Sequence, residues 1–380
     1  MGSTGSIGQN ALKVIDALGS EYKVLALSAH SKVELLAQQV KKYKPKVVAI
    51  TNGDCAERFR KLVGDCDVEI LSGAESLAAI AQLDGADIVL TAVVGAVGLE
   101  AVIAAAKKGK TLAIANKEPL VIAGQLLTET AKKHNSTILP VDSEHSAIFQ
   151  AMQAGEPDEV NKIIITSSGG PFRKMSAEEI KNVTLEKALN HPVWNMGPKI
   201  TIDSATMMNK ALEVIEAHWL FGVDVDSIEV VLQRESMVHS LVEFVDGSCL
   251  GQMCPPDMRV PIQYALGFPE YVSQPWAPVD WKKPFALHFE PVDRKRYPCL
   301  DIACQAGKLG GTFPAAMVGA DEEAVSLFLA GKIRFGDIPR LISIALEHHQ
   351  SVPDATAAQI AAALQDGRDC VMRQVERRAG

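Results

Sequence analysis

Acidic residues occur at two places in the sequence where they could bind a divalent cation. Asp142 and Glu144 lie two apart in PVDSEHS, so in an extended chain their carboxylates point the same way. Glu213 lies within the apolar helical pattern ALEVIEA, where burying a charge without a partner is costly. Three hard oxygen ligands suit Mg²⁺ or Mn²⁺, and no histidine and cysteine set has the spacing of a zinc site. Taken singly, each carboxylate is better explained by an ordinary salt bridge or a helix cap.

Small polar residues and a lysine accompany these acids and are typical of a phosphate site. ITSSGGPFR places Ser168 and two glycines directly after a strand pattern, and Ser204 lies where a second strand pattern turns into a helix. Asn209 and Glu213 are four residues apart and share a helix face, with Lys210 adjacent. Hydroxyl, amide and ammonium groups beside a glycine-rich backbone predict a pocket for a substrate phosphate. Ser168 by itself would be only a turn residue.

A loop with large apolar side chains lies between these two segments. HPVWNMGP, residues 191–198, holds His191, Trp194 and Met196 between two prolines and beside Gly197. Such a loop predicts a lid that excludes water from a reaction. A packed surface loop is the alternative.

The chain begins with a glycine turn, GSTGSIG, that leads into an apolar helical pattern. Glycines there allow a tight turn and the close approach of a pyrophosphate to the helix N-terminus. The strand pattern that follows, VLALS, has no acidic residue at its tip. His30, Ser31 and Lys32 stand there instead, and neutral donors with a cation favour the ribose phosphate of NADP. Solvated loop residues are the alternative.

The pattern of elements predicts an α/β protein with three domains. Up to residue 141, short apolar runs alternate with helical patterns, which predicts βαβ units and a doubly wound, Rossmann-like NADPH domain over 1–141. A central α/β domain that binds the metal and catalyses the reaction is predicted over 142–267, with the lid at about 188–198. Residues 268–300 are rich in proline and tryptophan and predict a linker, and 301–380 predict a C-terminal α-helical domain. The predicted strands are Tyr22–Leu27, Lys46–Ile50, Val68–Leu71, Ile88–Thr91, Thr111–Ala115, Thr137–Val141, Lys162–Thr166 and Ile228–Leu232, and the longest predicted central helix is Ala205–Leu220.

Bulk composition restricts the class of partner and the compartment. The net charge of −8 over 380 residues argues against nucleic acid as a partner. The seven cysteines form no CxxC pair, which favours reduced thiols in the cytosol. Because no apolar run reaches about 18 residues and no signal peptide is legible, we expect a cytoplasmic protein without a membrane anchor.

Six motifs together resemble the 1-deoxy-D-xylulose 5-phosphate reductoisomerase family: GSTGSIG, ANKE, VDSEHSA, SSGGPFR, HPVWNMG and DSATMMNKALEVIEA. The resemblance implies NADPH-dependent rearrangement and reduction of 1-deoxy-D-xylulose 5-phosphate to 2-C-methyl-D-erythritol 4-phosphate, in non-mevalonate isoprenoid biosynthesis. It implies a homodimer and a loop that closes over substrate. The implied NADPH residues are Thr4, Gly5, Ser6, Ile7, Asn116, Glu118 and Gly197, and the implied metal ligands are Asp142, Glu144 and Glu213. The implied substrate residues are Lys117, Ser143, Glu144, Ser168, His191, Ser204, Asn209, Lys210 and Glu213, with Lys117, Glu144 and His191 catalytic.

The sequence departs from the family pattern at three places. The strand that normally precedes GSTGSIG has no counterpart before the turn. The usual glycine–basic–asparagine tip is His30–Ser31–Lys32, which weakens the prediction of the ribose-phosphate contacts. The usual asparagine–alanine–alanine–asparagine stretch near the C-terminus reads Val318–Gly319–Ala320–Asp321, where an effect on packing is expected.

Two other functions fit parts of the pattern. A simple NADP-dependent dehydrogenase of another phosphorylated carbonyl compound would not need the three carboxylates. A non-catalytic nucleotide-binding module would bind NADPH without turnover. The presence of every predicted metal and phosphate residue argues against the second alternative.

Overall fold

The structure of the chain is a computed structural model that describes residues 1–194, 196–273 and 275–379. The chain forms two compact units. The first comprises Met1–Pro119, Leu127–Ser146 and Asp257–Pro278, and the second comprises Leu120–Leu126, Ala147–Pro256 and Val279–Gly380. The predicted division into three domains and a linker stays a prediction.

The α-helices and β-strands of the described residues are numbered in chain order. The helices are α1 (Ser6–Leu18), α2 (Val33–Tyr43), α3 (Ala56–Val63), α4 (Ser76–Ala81), α5 (Leu99–Lys107), α6 (Glu118–Lys133), α7 (Ser143–Ala151), α8 (Ala177–Lys181), α9 (Leu185–Leu189), α10 (Pro198–Thr206), α11 (Met208–Phe221), α12 (Arg259–Gly267), α13 (Pro298–Leu309), α14 (Phe313–Leu329), α15 (Asp337–His348) and α16 (Ala357–Ala379). The strands are β1 (Ala26–Ala29), β2 (Val47–Ile50), β3 (Glu69–Ser72), β4 (Ile88–Thr91), β5 (Thr111–Ile114), β6 (Ile138–Pro140), β7 (Val160–Ser167), β8 (Ile228–Gln233), β9 (Val238–Phe244), β10 (Cys249–Met253) and β11 (Phe289–Pro291).

The first unit contains two parallel sheets of three strands, in the orders β1-β2-β3 and β4-β5-β6. Helices connect successive strands, as the alternating pattern predicted, because parallel neighbours need a crossover. The six predicted strands of this region are confirmed with end shifts of a few residues. Their core is apolar: Leu36, Val48, Ile50 and Phe59 are fully buried. The predicted Rossmann-like α/β region is therefore confirmed.

The first three residues make backbone hydrogen bonds to both of these sheets. The N-terminal amine of Met1 donates to the carbonyl of Leu90 at 2.5 Å, and the N–H of Ala92 donates to the carbonyl of Met1 at 3.0 Å. On the other side, the N–H of Ser3 donates to the carbonyl of Ser28 at 2.9 Å. These bonds hold the start of the glycine turn between β1 and β4, and α1 is the first described element.

The second unit contains a mixed five-stranded sheet in the order β10-β9-β7-β8-β11. Among the strand pairs of the described residues in this sheet, only β7–β8 is parallel. The sequence interpretation found β7 and β8 but missed the β9–β10 hairpin and placed β11 in an irregular linker. The hairpin has a readable turn signal, Asp246-Gly247, in which Gly247 has φ +84° and the N–H of Ser248 bonds to Asp246 Oδ1.

Helices α13 to α16 form the predicted helical region at the C-terminal end. Ser176 and Glu179 make a capping box at α8, and the Oγ1 of Thr356 accepts a bond from the N–H of Gln359 where α16 begins. None of the described helices is long and apolar enough to cross a bilayer.

The prediction of one long helix over Ala205–Leu220 is wrong. The segment is two helices, α10 and α11, separated at Met207, which has φ +64°. A left-handed residue interrupts the hydrogen-bond ladder, and the N–H of Met208 bonds to the side chain of Thr206 instead. The expected strand before Ser204 is also wrong, because Ser204 lies within α10. The break at Met207 places Ser204 and Lys210 on different helices.

Candidate active site

The glycine turn leads directly into α1 and is closely packed. Gly2 has φ +76°, and a Cβ atom there would lie 2.4 Å from the carbonyl oxygen of Ala92. A Cβ atom on Gly8 would lie 2.3 Å from the carbonyl oxygen of Gly2. Glycine alone fits these two positions without a shift of the backbone. Gly5 is the N-cap of α1, and the first-turn amides of this helix can donate to a phosphate.

The predicted ribose-phosphate residues, 30–32, are exposed at the end of β1. The bond from Ser3 to Ser28 joins the glycine turn to this same end of the strand. The Nδ1 of His30 lies 2.8 Å from the Oγ1 of Thr51, which follows β2. The tip therefore lies at the carboxyl edge of the sheet, where a dinucleotide is expected to bind. Among the other predicted cofactor residues, Thr4 is buried, Ile7 is half-buried and Ser6 is exposed.

Asn116 follows β5 at the carboxyl edge of the other sheet of the first unit. Only 7% of its surface is exposed, and within the described part of the chain neither its Nδ2 nor its Oδ1 has a hydrogen-bond partner. A Cβ atom on Gly98 would lie 3.0 Å from this Nδ2. Leaving a buried amide unpaired costs about 1–3 kcal/mol, so the position favours a ligand with both a donor and an acceptor. The carboxamide of nicotinamide has both. Glu118, two residues on, is half-buried in the first turn of α6.

Lys117 and Asp142 form an ion pair at the ends of β5 and β6. The Nζ of Lys117 donates to Asp142 Oδ2 at 2.6 Å, and their side chains are 8% and 17% exposed. The N–H of Ser143 donates to Asp142 Oδ1 at 3.0 Å, and the Ser143 hydroxyl donates to Glu144 Oε2 at 2.5 Å. Four predicted site residues are thus linked by hydrogen bonds in one unit.

The expectation that Asp142 and Glu144 lie on an extended segment is wrong. Helix α7 begins at Ser143, so Asp142 directly precedes it and Glu144 lies in its first turn. The N–H of Ser146 donates to the carbonyl of Asp142 at 2.9 Å. Acidic side chains are favourable at this end of a helix because its dipole is positive there. The two carboxylates are therefore presented by a helix start.

His145 is a candidate metal-binding residue that the sequence interpretation missed. Its side chain is fully buried in α7, and one ring nitrogen lies within 4.8 Å of a carboxylate oxygen of Asp142. The signal was present in VDSEHS, because residues three apart share a face once a helix begins at Ser143.

Glu213 lies in the middle of α11 and is 1% exposed. The Nδ2 of Asn209 donates to its Oε1 at 2.6 Å, and the Nζ of Lys210 donates to its Oε2 at 2.5 Å. Lys210 is itself buried, at 4% exposure. The predicted need of this carboxylate for partners is confirmed, because the ammonium compensates the buried negative charge.

Ser168 follows β7 and begins a turn with two left-handed glycines. Gly169 has φ +80° and Gly170 has φ +62°, and the N–H of Gly170 lies 3.3 Å from Ser168 Oγ. A Cβ atom on Gly170 would lie 2.8 Å from the carbonyl oxygen of Ser204. The turn and α10 are therefore in direct contact, and two hydroxyls predicted to bind phosphate come from adjacent backbone segments.

His191 connects Ser168 to the predicted lid. Its Nε2 lies 3.3 Å from Ser168 Oγ, and its Nδ1 accepts bonds from the N–H groups of Val193 at 3.2 Å and Trp194 at 2.9 Å. Burial, and secondarily the charge of Arg173, lowers the pKa of His191 to about 4. The ring is neutral at pH 7, and because Nδ1 accepts two bonds, its proton is on Nε2.

The segment from Asn190 to Gly197 contains no helix or strand among its described residues, and Asn195 lies outside them. Val193 is 36% exposed, and the exposed Gly197 is the N-cap of α10. Closure of this loop over a substrate stays a prediction.

The first unit holds the glycine turn, residues 30–32, Asn116 to Glu118, and Asp142 to Glu144, whereas the second unit holds Ser168, His191, Gly197, Ser204, Asn209, Lys210 and Glu213. Shared metal ligation by acidic residues of both groups stays a prediction.

Three family models match the chain. They are 1-deoxy-D-xylulose 5-phosphate reductoisomerase at residues 1–124, the C-terminal domain of that enzyme at residues 138–221, and a DXP reductoisomerase C-terminal domain at residues 253–370. Together they cover most of the sequence.

Curated relatives and solved structures agree with these matches. The chain is 48% identical over 351 residues to 1-deoxy-D-xylulose 5-phosphate reductoisomerase of Pelodictyon phaeoclathratiforme, covering 92% of each chain. It is 48% identical over 361 residues to that of a Geobacillus species, covering 95% of this chain and 94% of the relative. The structure of the Zymomonas mobilis enzyme with NADPH superposes with a TM-score of 0.92 at 40% identity, covering 99% of this chain and 97% of that one. A DOX-P reductoisomerase with NADPH, fosmidomycin and magnesium superposes with a TM-score of 0.93 at 38% identity and the same coverage. The chain belongs to the 1-deoxy-D-xylulose 5-phosphate reductoisomerase family.

Proposed function

We propose that the residues described above carry out the reaction of the family. The chain is an NADPH-dependent and divalent-metal-dependent reductoisomerase that converts 1-deoxy-D-xylulose 5-phosphate to 2-C-methyl-D-erythritol 4-phosphate. The observation that supports the residue roles best is the buried carboxylate of Glu213, bonded at once by Asn209 and Lys210. A simple dehydrogenase has no need for such an arrangement.

The cofactor site fits NADPH on two features of the first unit. The glycine turn has no room for a side chain at Gly2 or Gly8, and the first-turn amides of α1 can donate to a pyrophosphate. The buried amide of Asn116 suits the nicotinamide carboxamide. Thr4 to Ile7, residues 30–32, Glu118 and Gly197 complete the proposed set.

The metal site fits a hard cation because its proposed ligands, Asp142, Glu144 and Glu213, are all carboxylates. Asp142 and Glu213 are each paired with a lysine, and these ion pairs support the proposal that positive charge is favourable beside both carboxylates. When bound, Mg²⁺ or Mn²⁺ supplies Lewis-acid polarisation of the substrate carbonyl. Lys117 holds an ammonium beside Asp142, from which it can donate to an oxygen on which negative charge develops.

Recognition of the substrate phosphate is assigned to Ser168, Ser204, Asn209 and Lys210. Together they offer two hydroxyls, an amide and an ammonium, the donors that phosphate oxygens accept. His191 contributes as a neutral donor through Nε2, because its Nδ1 is occupied by the loop backbone. Ser143 orients the carboxylate of Glu144 through their hydrogen bond.

Replacement of Lys210 tests the phosphate assignment. Lys210→Ala is expected to raise the KM for 1-deoxy-D-xylulose 5-phosphate by about tenfold or more, since a charge-assisted bond to phosphate is lost. The hydride-transfer rate at saturating substrate should fall less. Initial rates of NADPH oxidation, followed by absorbance with Mg²⁺, measure both quantities. An unchanged KM would remove Lys210 from the phosphate site.

The enzyme is further proposed to act as a homodimer in the cytoplasm. The resemblance to the family supports the dimer, and the seven free cysteines fit a reducing compartment. Sedimentation equilibrium of the purified chain tests the dimer, and a mass near 40.8 kDa would refute it.

A further inference from the structure

A buried ion-pair cluster outside the residues assigned so far joins α10 to the C-terminal helices. The Nζ of Lys199 donates to Asp203 Oδ2 at 2.5 Å and to Asp321 Oδ2 at 2.7 Å. Asp203 lies one turn further along α10, whereas Asp321 lies on α14. The side chains of the two aspartates are 4% and 1% exposed. One ammonium therefore connects two carboxylates from different helices.

The positive charge of Lys199 is unfavourable at its position unless negative charges lie nearby. It lies in the first turn of α10, where the helix dipole is positive and a lysine is unfavourable. A third buried group, the thiol of Cys299 on α13, borders the cluster: its pKa is raised by burial and then by the charges of Asp321 and Asp203. The ammonium of Lys199, which is partly exposed, thus compensates negative charge on two buried carboxylates.

Helix α10 is placed between two parts of the proposed site. Its N-cap is Gly197, at the end of the predicted lid, and its last turn carries Ser204. The carbonyl of Ser204 packs against Gly170, in the turn that begins at Ser168. A shift of α10 relative to α14 would therefore move a proposed phosphate hydroxyl and the end of the loop together.

We propose that Asp321, acting through Lys199, is a positioning residue that fixes α10 on α14 and so holds Ser204 beside the Ser168 turn. This inference rests on the proposed phosphate site. It also gives a role to the side chain at position 321, where the family pattern has asparagine. Lys199 and Asp321 touch no reacting group in this assignment and act through the placement of α10.

The test compares Asp321→Leu with Asp321→Asn. The leucine variant removes the acceptor, whereas asparagine keeps an oxygen that Lys199 can donate to. Asp321→Leu is expected to raise the KM for 1-deoxy-D-xylulose 5-phosphate about tenfold, the effect of one lost charge-assisted bond, with kcat per folded enzyme changed less than about threefold. Asp321→Asn should keep KM within about twofold. Lys199→Met should resemble the leucine variant.

A matched control is available on the next residue of α14. Glu322 forms an ion pair at 2.5 Å with Arg368, which lies on α16 rather than on α10. Glu322→Leu should lower stability while leaving KM unchanged. If Asp321→Leu lowers only the maximal velocity, in proportion to the loss of folded protein, Asp321 is merely structural and the proposal is overturned.

A second readout does not depend on turnover. The amide of Thr201 donates to the carbonyl of Gly197 in the first turn of α10, and its hydrogen exchange reports the order of that turn. Exchange should accelerate in Asp321→Leu and Lys199→Met but not in Glu322→Leu, and unchanged exchange would overturn the proposal. If Ser204→Ala leaves KM unchanged while exchange still accelerates in Asp321→Leu, the phosphate assignment fails and the anchoring of α10 is supported on its own.

Discussion

Individual side chains of the site are held ready by neighbours of opposite charge or by backbone groups. Lys117 is paired with Asp142, Lys210 with Glu213, and the ring of His191 with the N–H groups of its own loop. The residue types were legible in the sequence, but these pairings were not. Replacing one partner of such a pair therefore also changes the charge or hydrogen bonding of the other.

Glu213 is a proposed metal ligand, so a change of its charge separates the reductoisomerase proposal from the simple dehydrogenase alternative. Glu213→Gln keeps the shape of the side chain and removes the negative charge that we propose binds the metal. Turnover should fall by at least about 100-fold, since even indirect partners of metal ligands cost 10–100-fold. NADPH oxidation at increasing Mg²⁺ measures this. Glu216→Gln, equally buried three residues along α11, is the control and should retain metal dependence. Full activity in Glu213→Gln would favour the dehydrogenase alternative.

His191 predicts a pH dependence of stability with a defined sign. Its folded pKa of about 4 lies below the unfolded value of about 6.5, so between these pH values the unfolded chain binds a proton that the folded chain does not. Stability from this residue is complete above pH 6.5 and falls as the pH is lowered toward 4.

Urea unfolding of wild type and His191→Gln between pH 7 and pH 4 measures this effect. The stability advantage of wild type over the variant should shrink with acidification. His348→Gln, at an exposed position of α15, serves as control and should run parallel to wild type. Parallel curves for His191→Gln as well would refute the lowered pKa.

Helices and strands determine which of these side chains can meet. The packing of α14 on α16 gives a role to the stretch that departs from the family pattern. Gly319 on α14 and Gly367 on α16 lie where the two helices approach closely. A Cβ atom on Gly319 would overlap the carbonyl oxygen of Leu364 at 1.8 Å, and one on Gly367 would lie 2.1 Å from that of Ala316. The Val318–Gly319–Ala320–Asp321 stretch thus provides both a close helix contact and the carboxylate that binds Lys199.

Gly319→Ala is therefore expected to destabilise the protein although alanine favours helices. Overpacking of this kind costs about 1–3 kcal/mol, more than the roughly 1 kcal/mol gained in helix propensity. Thermal unfolding should show a lower midpoint for Gly319→Ala. Gly53→Ala is the control, because a Cβ atom there meets nothing within 4 Å. A midpoint equal to that of wild type would show that α16 moves aside freely.

Helices and strands with a clear hydrophobic periodicity were predictable from the sequence. Features that depend on the backbone conformation of one residue were not. The strand Ile88–Thr91 has the predicted bounds, and the parallel pairs of the first unit follow from the alternation. The break at Met207 was missed because methionine carries no turn signal, yet its φ is +64°. The start of α7 at Ser143 was missed although aspartate is a typical N-cap residue, and with it the geometry of Asp142 and the proximity of His145 were missed.

The molecule as a whole makes a prediction about metal removal. The proposed NADPH groups of the first unit, the glycine turn and Asn116, include no proposed metal ligand. Excess chelator should therefore abolish turnover while NADPH still binds, and Mg²⁺ should restore turnover. Fluorescence of bound NADPH and its rate of oxidation measure the two properties on one sample. Full turnover in excess chelator would remove the metal from the mechanism, and loss of NADPH binding would show that the two sites depend on each other.

The position of the His191 ring has a thermodynamic consequence. Its Nδ1 accepts the bonds from Val193 and Trp194 that close the turn, and its Nε2 lies within hydrogen-bond distance of the Ser168 hydroxyl. An anion that draws this hydroxyl to itself changes the energy of the ring, and hence of the turn. By linkage, the factor by which an anion alters the order of the loop equals the factor by which loop order alters affinity for the anion. Inorganic phosphate alone, without a sugar or a cofactor, should therefore change the conformational equilibrium of the loop.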